Sequence, residues 1–411
     1  MTFIFFIIFF LIVDIYLFQA VKAVSENWSL VWKNVARHSF WVPTILCIGA
    51  LCWWMLADPY RFNSGTRNWI LTALFATYFS KIFGILFVFA DDLQRAVRWV
   101  AGLFQSESPQ ELPGKGIPRS EFLTKVALIA TAIPFGTMAY GIISGAHDYR
   151  LRRVKVNLPN LPKSFDGIRI GHISDIHSGS FFNKTAVKGG VQMLLDEKPD
   201  LIFFTGDLVN NEASEVKEYL SIFDKIKAPL GVFSVTGNHD YGDYHQWKSA
   251  DEKRENFKRL IEAHRIMGYQ LLMNNHQILE QGGEKIAILG NENWGGRGFT
   301  KYGKLDQAYQ GINEASVKLL LSHDPSHWDA QVRKEYTDID IMFSGHTHGF
   351  QFGVEIGNFK WSPSQYAYKQ WAGLSQEGKQ FLYVNRGFGY LGYPGRIGMP
   401  PELTIMELRR G

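Results

Sequence analysis

At 411 residues the chain has room for two to three domains of roughly 150 residues, and its 46% apolar content excludes disorder over most of its length. Aromatic residues make up 15%, high for a soluble protein, while a formal net charge of +4 is too close to neutral for a polyanion-binding chain, so no nucleic-acid partner is expected. The mean hydropathy of −0.10 resembles that of an ordinary soluble enzyme only because it averages two unlike halves.

The first half is apolar. Runs from Phe3 to Ala20, Phe40 to Ala57, Trp69 to Ala90 and Phe122 to Ser144 each approach the roughly 20 residues that cross a bilayer as a helix. Trp41, Trp53, Trp54 and Trp69 sit at run ends, where an amphipathic ring suits the headgroup region. Residues 1–149 are therefore expected to form a helical transmembrane bundle. No Lys or Arg precedes the first run and no small-residue cleavage site follows it, so it is expected to remain in the mature protein. Asp14 and Lys81 fall inside runs and are read as lying near the interface or snorkelling toward it, in preference to a contact within the bundle.

Lys22, Lys33 and Arg37 follow the first run and Arg95, Arg98, Lys115 and Arg119 the third, against Arg61 and Arg67 between the second and third. The positive-inside rule then puts both termini, and the second half with them, outside the cytoplasm. Arg150, Arg152, Arg153 and Lys155 after the fourth run argue the other way and are discounted as entering a folded strand. Asp92 to Phe104 has helical apolar spacing at Leu93, Val97, Val100 and Phe104 and is expected to be a separate helix on the membrane surface, followed by a Ser, Pro and Gly-rich loop from Gln105 to Glu121.

From Arg150 the texture changes to α/β. Ile168–Ser174, Leu201–Thr205, Val232–Thr236, Ile286–Leu289, Lys318–Ser322 and Ile339–Ser344 read as buried strands. Thr185–Glu197, Ser214–Lys227 and Asp251–Met267 read as helices, and Gln277–Gln281 with Lys285–Leu289 as a hairpin about Gly282-Gly283. Helices packed over a sheet place a ligand site beyond the strand ends over residues 150–411. Both cysteines, Cys47 and Cys52, lie in the second apolar run, so this half carries no thiol chemistry.

The strand ends carry Asp175-Ile176-His177, Gly206-Asp207, Gly237-Asn238-His239-Asp240, Ser322-His323-Asp324 and Gly345-His346-Thr347-His348-Gly349, with five of the twelve His. Each alone is weak, since a solitary His after a strand is more often a hydrogen-bonding group than a ligand. Five apolar runs that each end in carboxylate, amide oxygen or imidazole point to a metal site. A mixed nitrogen and oxygen set without thiolate suits Mn²⁺, Fe or Zn²⁺. Seven candidate ligands exceed what one ion needs, and two ions need a bridging anion, for which Asp207 is the candidate.

This ordered set resembles the calcineurin-like metallophosphoesterase superfamily over essentially all of residues 150–411, and Asn385-Arg386-Gly387 and Pro400-Pro401-Glu402 resemble its membrane-associated bacterial branch. The resemblance implies a β-sandwich flanked by helices around a dinuclear centre, with Asp175, His177 and His348 on one divalent ion, Asn238, His323 and His346 on the other, and Asp207 bridging. It implies hydrolysis of a phosphate ester or pyrophosphate by a metal-activated hydroxide, on a phosphorylated small molecule or a lipid-linked substrate such as UDP-2,3-diacylglucosamine. His239 is expected to stabilise the transition state or protonate the leaving group, with Asp240 orienting it or capping a turn. Arg386 and Arg396 are read as surface salt-bridge residues in preference to phosphate contacts. Phe350 departs from the branch, which often has Gly there. The alternative is a membrane sensor or transporter using the fold as a ligand-binding regulator; the intact ligand set and the few ionisable residues in the spans argue against it.

Overall fold

The computed structural model describes residues 2–56, 64–102, 104, 119–357 and 359–411. The chain divides into two compact units, Met1–Tyr140 and Gly141–Gly411.

The first unit is helical: α1 (Thr2–Val24), α2 (Leu30–Ser39), α3 (Trp41–Leu56), α4 (Ser64–Gly102) and α5 (Glu121–Ile143). Four stretches are long and apolar enough to cross a membrane, Ile4–Val24, Leu30–Trp54, Trp69–Gly102 and Glu121–His147. Their outward residues are apolar, among them Phe5, Ile12, Leu46, Phe75, Leu86 and Ile133, as lipid-facing helices require. The polar groups lie inside. Asp14 is fully buried, accepts hydrogen bonds from Thr44 Oγ1 at 2.8 Å and Tyr78 OH at 3.0 Å, and is ion-paired with Lys81. The reading of these two residues as interfacial is therefore corrected: each finds its counter-charge inside the bundle, which costs less than exposing either to hydrocarbon.

A second correction concerns Asp92–Phe104, which is no separate surface helix. With no Gly or Pro between Ala90 and Gly102, α4 runs on without a break for 39 residues, about 58 Å at 1.5 Å per residue and well beyond a hydrocarbon core of about 30 Å. Asp91 and Asp92 on it bind Arg119 at 3.0 Å, and Asp91 also accepts from the Ser120 N–H at 2.9 Å, fixing the start of α5. The loop expected from Gln105 lies outside the described residues as far as residue 118.

The second unit holds two six-stranded sheets and a two-stranded ribbon. In chain order the strands are β1 (Arg150–Leu158), β2 (Arg169–Ile173), β3 (Leu201–Phe204), β4 (Val232–Ser234), β5 (Gln270–Leu271), β6 (Asn275–Gln281), β7 (Glu284–Asn291), β8 (Val317–Ser322), β9 (Ile341–Ser344), β10 (Val354–Ile356), β11 (Phe359–Trp361), β12 (Gly373–Glu377), β13 (Gln380–Val384) and β14 (Glu402–Arg410). One sheet runs β1-β14-β2-β3-β4-β5, the other β12-β13-β9-β8-β7-β6, and β10 pairs with β11.

Alternation assigns each side chain its layer. On β3, Leu201 and Phe203 enter the core between the sheets while Ile202 and Phe204 face outward; on β8, Leu319 and Leu321 turn inward and Leu320 outward. Helices α6 (Lys184–Asp196) and α8 (Ala250–Met267) cover the outer face of the first sheet through Val187, Leu194, Leu260 and Met267. Trp328, Val332 and Leu305 cover that of the second. Both faces of the central strands are thus buried, which is why they read as continuous apolar runs. The expected helix over Ser214–Lys227 is instead a 3-10 turn, Ala213–Val216, and a single helical turn, α7 (Leu220–Phe223). The Glu215 carboxylate is drawn back onto the N–H groups of Asn210 and Glu212, at 2.6 and 3.2 Å, and this breaks the helical run.

Candidate metal centre

β2, β3 and β4 pair in parallel, as do β7, β8 and β9, so the loops after β2, β3, β4, β8 and β9 leave from the carboxyl edges of the two sheets. These loops carry the five clusters. They turn sharply: Asp175, His177, Asp207, His346 and His348 all take positive φ, between 48° and 72°. That region is unusual for residues other than Gly, although Asp and His tolerate it better than most, and each instance costs of order 1–3 kcal/mol. Two glycines make the approach possible. A Cβ at Gly237 would strike the Asp207 carboxylate, and one at Gly345 would strike Ser174 and Asp175.

Six side chains form two groups that could each hold a cation: Asp175, His177 and His348, and Asp207, His323 and His346, with ligand atoms inside each group all within 4.8 Å of one another. His348 Nε2 lies 3.2 Å from Asp175 Oδ1 and 3.1 Å from His177 Nε2; in the second group His323 Nε2 is 3.1 Å from Asp207 Oδ2 and 3.2 Å from His346 Nδ1. Asp207 joins the groups, since its Oδ2 is also 3.4 Å from His177 Nε2.

The far ring nitrogens are fixed by neighbours that sequence reasoning missed. His177 Nδ1 meets Asn210 Oδ1 at 3.1 Å, His323 Nδ1 the Thr205 carbonyl at 2.8 Å, and His346 Nε2 the Tyr368 hydroxyl at 2.7 Å, so the other nitrogen of each ring is aimed into the site. Asn210-Asn211, just after Gly206-Asp207, was the available signal for the first; Tyr368 lies in an irregular segment with none.

Burial pushes His177 down to about 3 and His346 to about 4, leaving both neutral with a free lone pair at neutral pH. Burial also opposes charge on His323, but the Asp207 and Asp175 carboxylates outweigh it and lift the ring to about 10. A bound cation would take the place of that proton. Asn238 Oδ1 is buried with no hydrogen-bond partner among the described residues, while its Nδ2 donates to Tyr244 OH at 3.0 Å. An orphaned amide oxygen beside imidazole and carboxylate groups with no thiolate fits a pair of divalent ions.

Residues 1–146 match the transmembrane domain described as a probable calcineurin-like phosphoesterase, and residues 168–350 match the calcineurin-like phosphoesterase family. The chain belongs to the calcineurin-like metallophosphoesterases with an N-terminal transmembrane domain. It is 28% identical over 318 residues to a Danio rerio transmembrane protein with metallophosphoesterase domain, covering 75% of this chain and 67% of that one. It is also 28% identical to the metallophosphoesterase YkuE of Bacillus subtilis, over 67% of this chain and 94% of the relative. A Chlamydia trachomatis protein named UDP-2,3-diacylglucosamine pyrophosphatase LpxG is 27% identical, over 63% of this chain and 88% of its own. As a phosphoesterase of this family the chain is a hydrolase with a His/Asp metal-binding site, anchored as an integral membrane protein.

Within this phosphoesterase, His239 is half-buried beside the clusters. Its N–H donates to Asp207 Oδ1 at 2.9 Å, and its Nδ1 meets the Asn210 carbonyl at 2.8 Å, which makes Nδ1 the donor and leaves Nε2 free. Asp240 does not orient it. The Asp240 carboxylate accepts from the N–H groups of Asp207 at 2.9 Å, Leu208 at 2.8 Å and Gly237 at 2.8 Å, clamping the two ligand loops together. The surface reading of the two arginines is likewise overturned, because Arg386 is 2% and Arg396 1% exposed. Arg386 pairs with buried Glu402 at 2.6 Å, which joins the Asn385-Arg386-Gly387 and Pro400-Pro401-Glu402 segments, whereas Arg396 donates to the carbonyls of Gly389 at 2.9 Å, Met399 at 3.2 Å and Arg386 at 2.8 Å. Both guanidinium groups are buried and bound within the protein, with Arg386 Nε alone of their nitrogens left without a hydrogen-bond partner among the described residues.

Proposed function

We propose that the protein is a membrane-bound, metal-dependent phosphoesterase that hydrolyses a lipid-linked phosphodiester or pyrophosphate at the bilayer surface. The observation that carries the reading is the pair of His/Asp groups joined through Asp207 Oδ2. In this reading Asp175, His177 and His348 hold one divalent ion and Asn238, His323 and His346 the other, with Asp207 shared. When bound, the ions supply Lewis acidity toward the phosphoryl oxygens and an activated water. The chain's own work is to aim the imidazoles of His177, His323 and His346 through their outer hydrogen bonds and to exclude bulk water by burial. It also keeps His239 Nε2 free beside the phosphoryl site, where it stabilises developing charge or passes a proton to the leaving oxygen. Asp240 serves as a positioning residue for the loops bearing Asp207 and Asn238. The purified full chain is expected to hydrolyse an aryl phosphodiester with Mn²⁺ and to lose that activity on chelation; no turnover with Mn²⁺, Fe²⁺ or Zn²⁺ would sink the reading and leave the sensor alternative.

On the charge asymmetry of the loops, the catalytic unit faces outward. Arg150, Arg152, Arg153 and Lys155, which argue against this, all lie on β1, hydrogen-bonded along β14 in the folded sheet, which supports discounting them as topogenic charges. A C-terminal alkaline phosphatase fusion should then be active and a C-terminal fluorescent protein fusion dark in the same cells. The reverse result would move the unit to the cytoplasm and favour a nucleotide-activated substrate of the kind named for the Chlamydia relative.

A further inference from the structure

The β10–β11 ribbon is built inside out. Glu355 and Lys360 stand opposite each other in its register, and each turns its charged end onto the second unit, Glu355 half-buried and Lys360 exposed along its length. Glu355 binds Arg152 at 2.6 and 3.0 Å and Arg386 at 3.3 Å; Lys360 donates to the Ala372 carbonyl at 2.8 Å and lies over the Trp371 ring. The opposite pair Ile356 and Phe359 instead points outward, 73% and 61% exposed, with Val354 on the same face. A water-facing ribbon has the reverse pattern, apolar side chains in and charges out.

Backbone pairing ties this face to the point where the fourth span ends. The Arg396 N–H donates to the Gly141 carbonyl at 3.1 Å, on the last turn of α5. The Ile397 N–H donates to the Gln351 carbonyl at 2.8 Å, and the Gly353 N–H to the Ile397 carbonyl at 2.9 Å. Exposed Phe350 and Phe352 lie along this join, and β10 begins one residue after Gly353. Exposed Phe350, Phe352, Val354, Ile356 and Phe359 thus follow one another from this join to the ribbon tip, starting two residues after His348.

We infer that the β10–β11 ribbon is a membrane-docking element: its Ile356 and Phe359 tip inserts into the lipid interface and holds the mouth of the metal centre against the bilayer, selecting amphiphilic phosphoesters whose lipid portion stays in the membrane. The docking stands on the ribbon's geometry, and the choice of substrate rests on the phosphoesterase reading above. An apolar surface beside a span exit meets acyl chains and headgroups, and burial of the tip there removes it from water without burying a charge, because Glu355 is ion-paired to Arg152 and Arg386 and the Lys360 amine lies on the other face against the Ala372 carbonyl.

The test uses the full chain in phosphatidylethanolamine and phosphatidylglycerol vesicles, with C47A and C52A and a nitroxide on an Ile356→Cys variant, against a Lys379→Cys control in the exposed β12–β13 turn. The label at 356 is expected to collide more with oxygen than with a water-soluble nickel chelate, and the control the reverse. A water-like ratio at 356 overturns the docking, and so does protection from both reagents, which would mark a protein partner or a second copy. In the same vesicles an Ile356→Ser/Phe359→Ser variant should keep its rate on the aryl diester and lose about tenfold on a diacyl-linked phosphodiester; equal rates on both would remove the ribbon from substrate selection. Absence of all hydrolysis in the parent chain would instead count against the phosphoesterase reading, while the accessibility result would still decide the docking.

Discussion

Asp207→Ala is expected to abolish turnover and to empty the site of metal together, whereas His239→Ala is expected to lower turnover with the metal retained. The first change removes the oxygen 3.1 Å from His323 and 3.4 Å from His177, the atom that joins the two ligand groups. Without it two cations would face each other across a gap with no protein anion between them, and a fall of roughly 10³-fold or more follows from losing both the shared charge and its geometry. It also frees the His239 N–H that Asp207 Oδ1 accepts. His239→Ala leaves all seven candidate ligands in place and should cost on the order of 10²–10⁴-fold, the usual range for a general acid or a positioned donor. Metal analysis beside kinetics on both proteins separates the roles. Full activity in the Asp207 variant would end its bridging assignment, and metal loss in the His239 variant would make that residue a ligand.

Lys81→Met is expected to be severely destabilising alone and largely rescued by Asp14→Leu in the same chain. The wild-type pair is neutral as a unit, with the Asp14 carboxylate also accepting from Thr44 and Tyr78. Removing the amine leaves a carboxylate in a low-dielectric bundle, and breaking a buried pair in this one-sided way costs about 3–5 kcal/mol. Replacing both partners by apolar residues of similar size removes the demand for solvation. The readout is the fraction of full-length protein that elutes as a single species from a detergent-solubilised membrane. Equal recovery of the single and double variants would show that the pair is not what holds α1 against α4.

The candidate ligands and the strands that carry them were legible in the sequence for one shared reason. Each chemical group is anchored to the end of a strand buried on both faces, so an apolar run followed by Asp, Asn or His marks both structure and site. Groups that act across long separations carried no such mark. Asp14 and Lys81 each look like an isolated defect in an apolar run, and their pairing appears only when α1 and α4 meet. The C-terminal strand β14 lies parallel to β1, with Arg150 opposite Glu402, a pairing that no local pattern announces. Helical periodicity misled at Ser214–Lys227, where the Glu215 carboxylate serves as a backbone cap for the loop behind Asp207. It misled again at Asp92, where an amphipathic stretch is the far end of a long rod and not a separate element. The role of Asp240 was hidden because its partners are backbone N–H groups, which have no identity in a sequence.

The positive-φ conformations of Asp175, His177, Asp207, His346 and His348 set the candidate metal ligands against the heat resistance of the chain. Glycine at any of these positions would relax the backbone while deleting a ligand, so a library screened for thermal endurance without metal and without substrate would enrich inactive sequences. Natural and laboratory lineages that gain robustness must find it elsewhere, in the two outer helical layers or the lipid-facing surface, and the five strained corners should stay untouched in every variant that still turns over substrate.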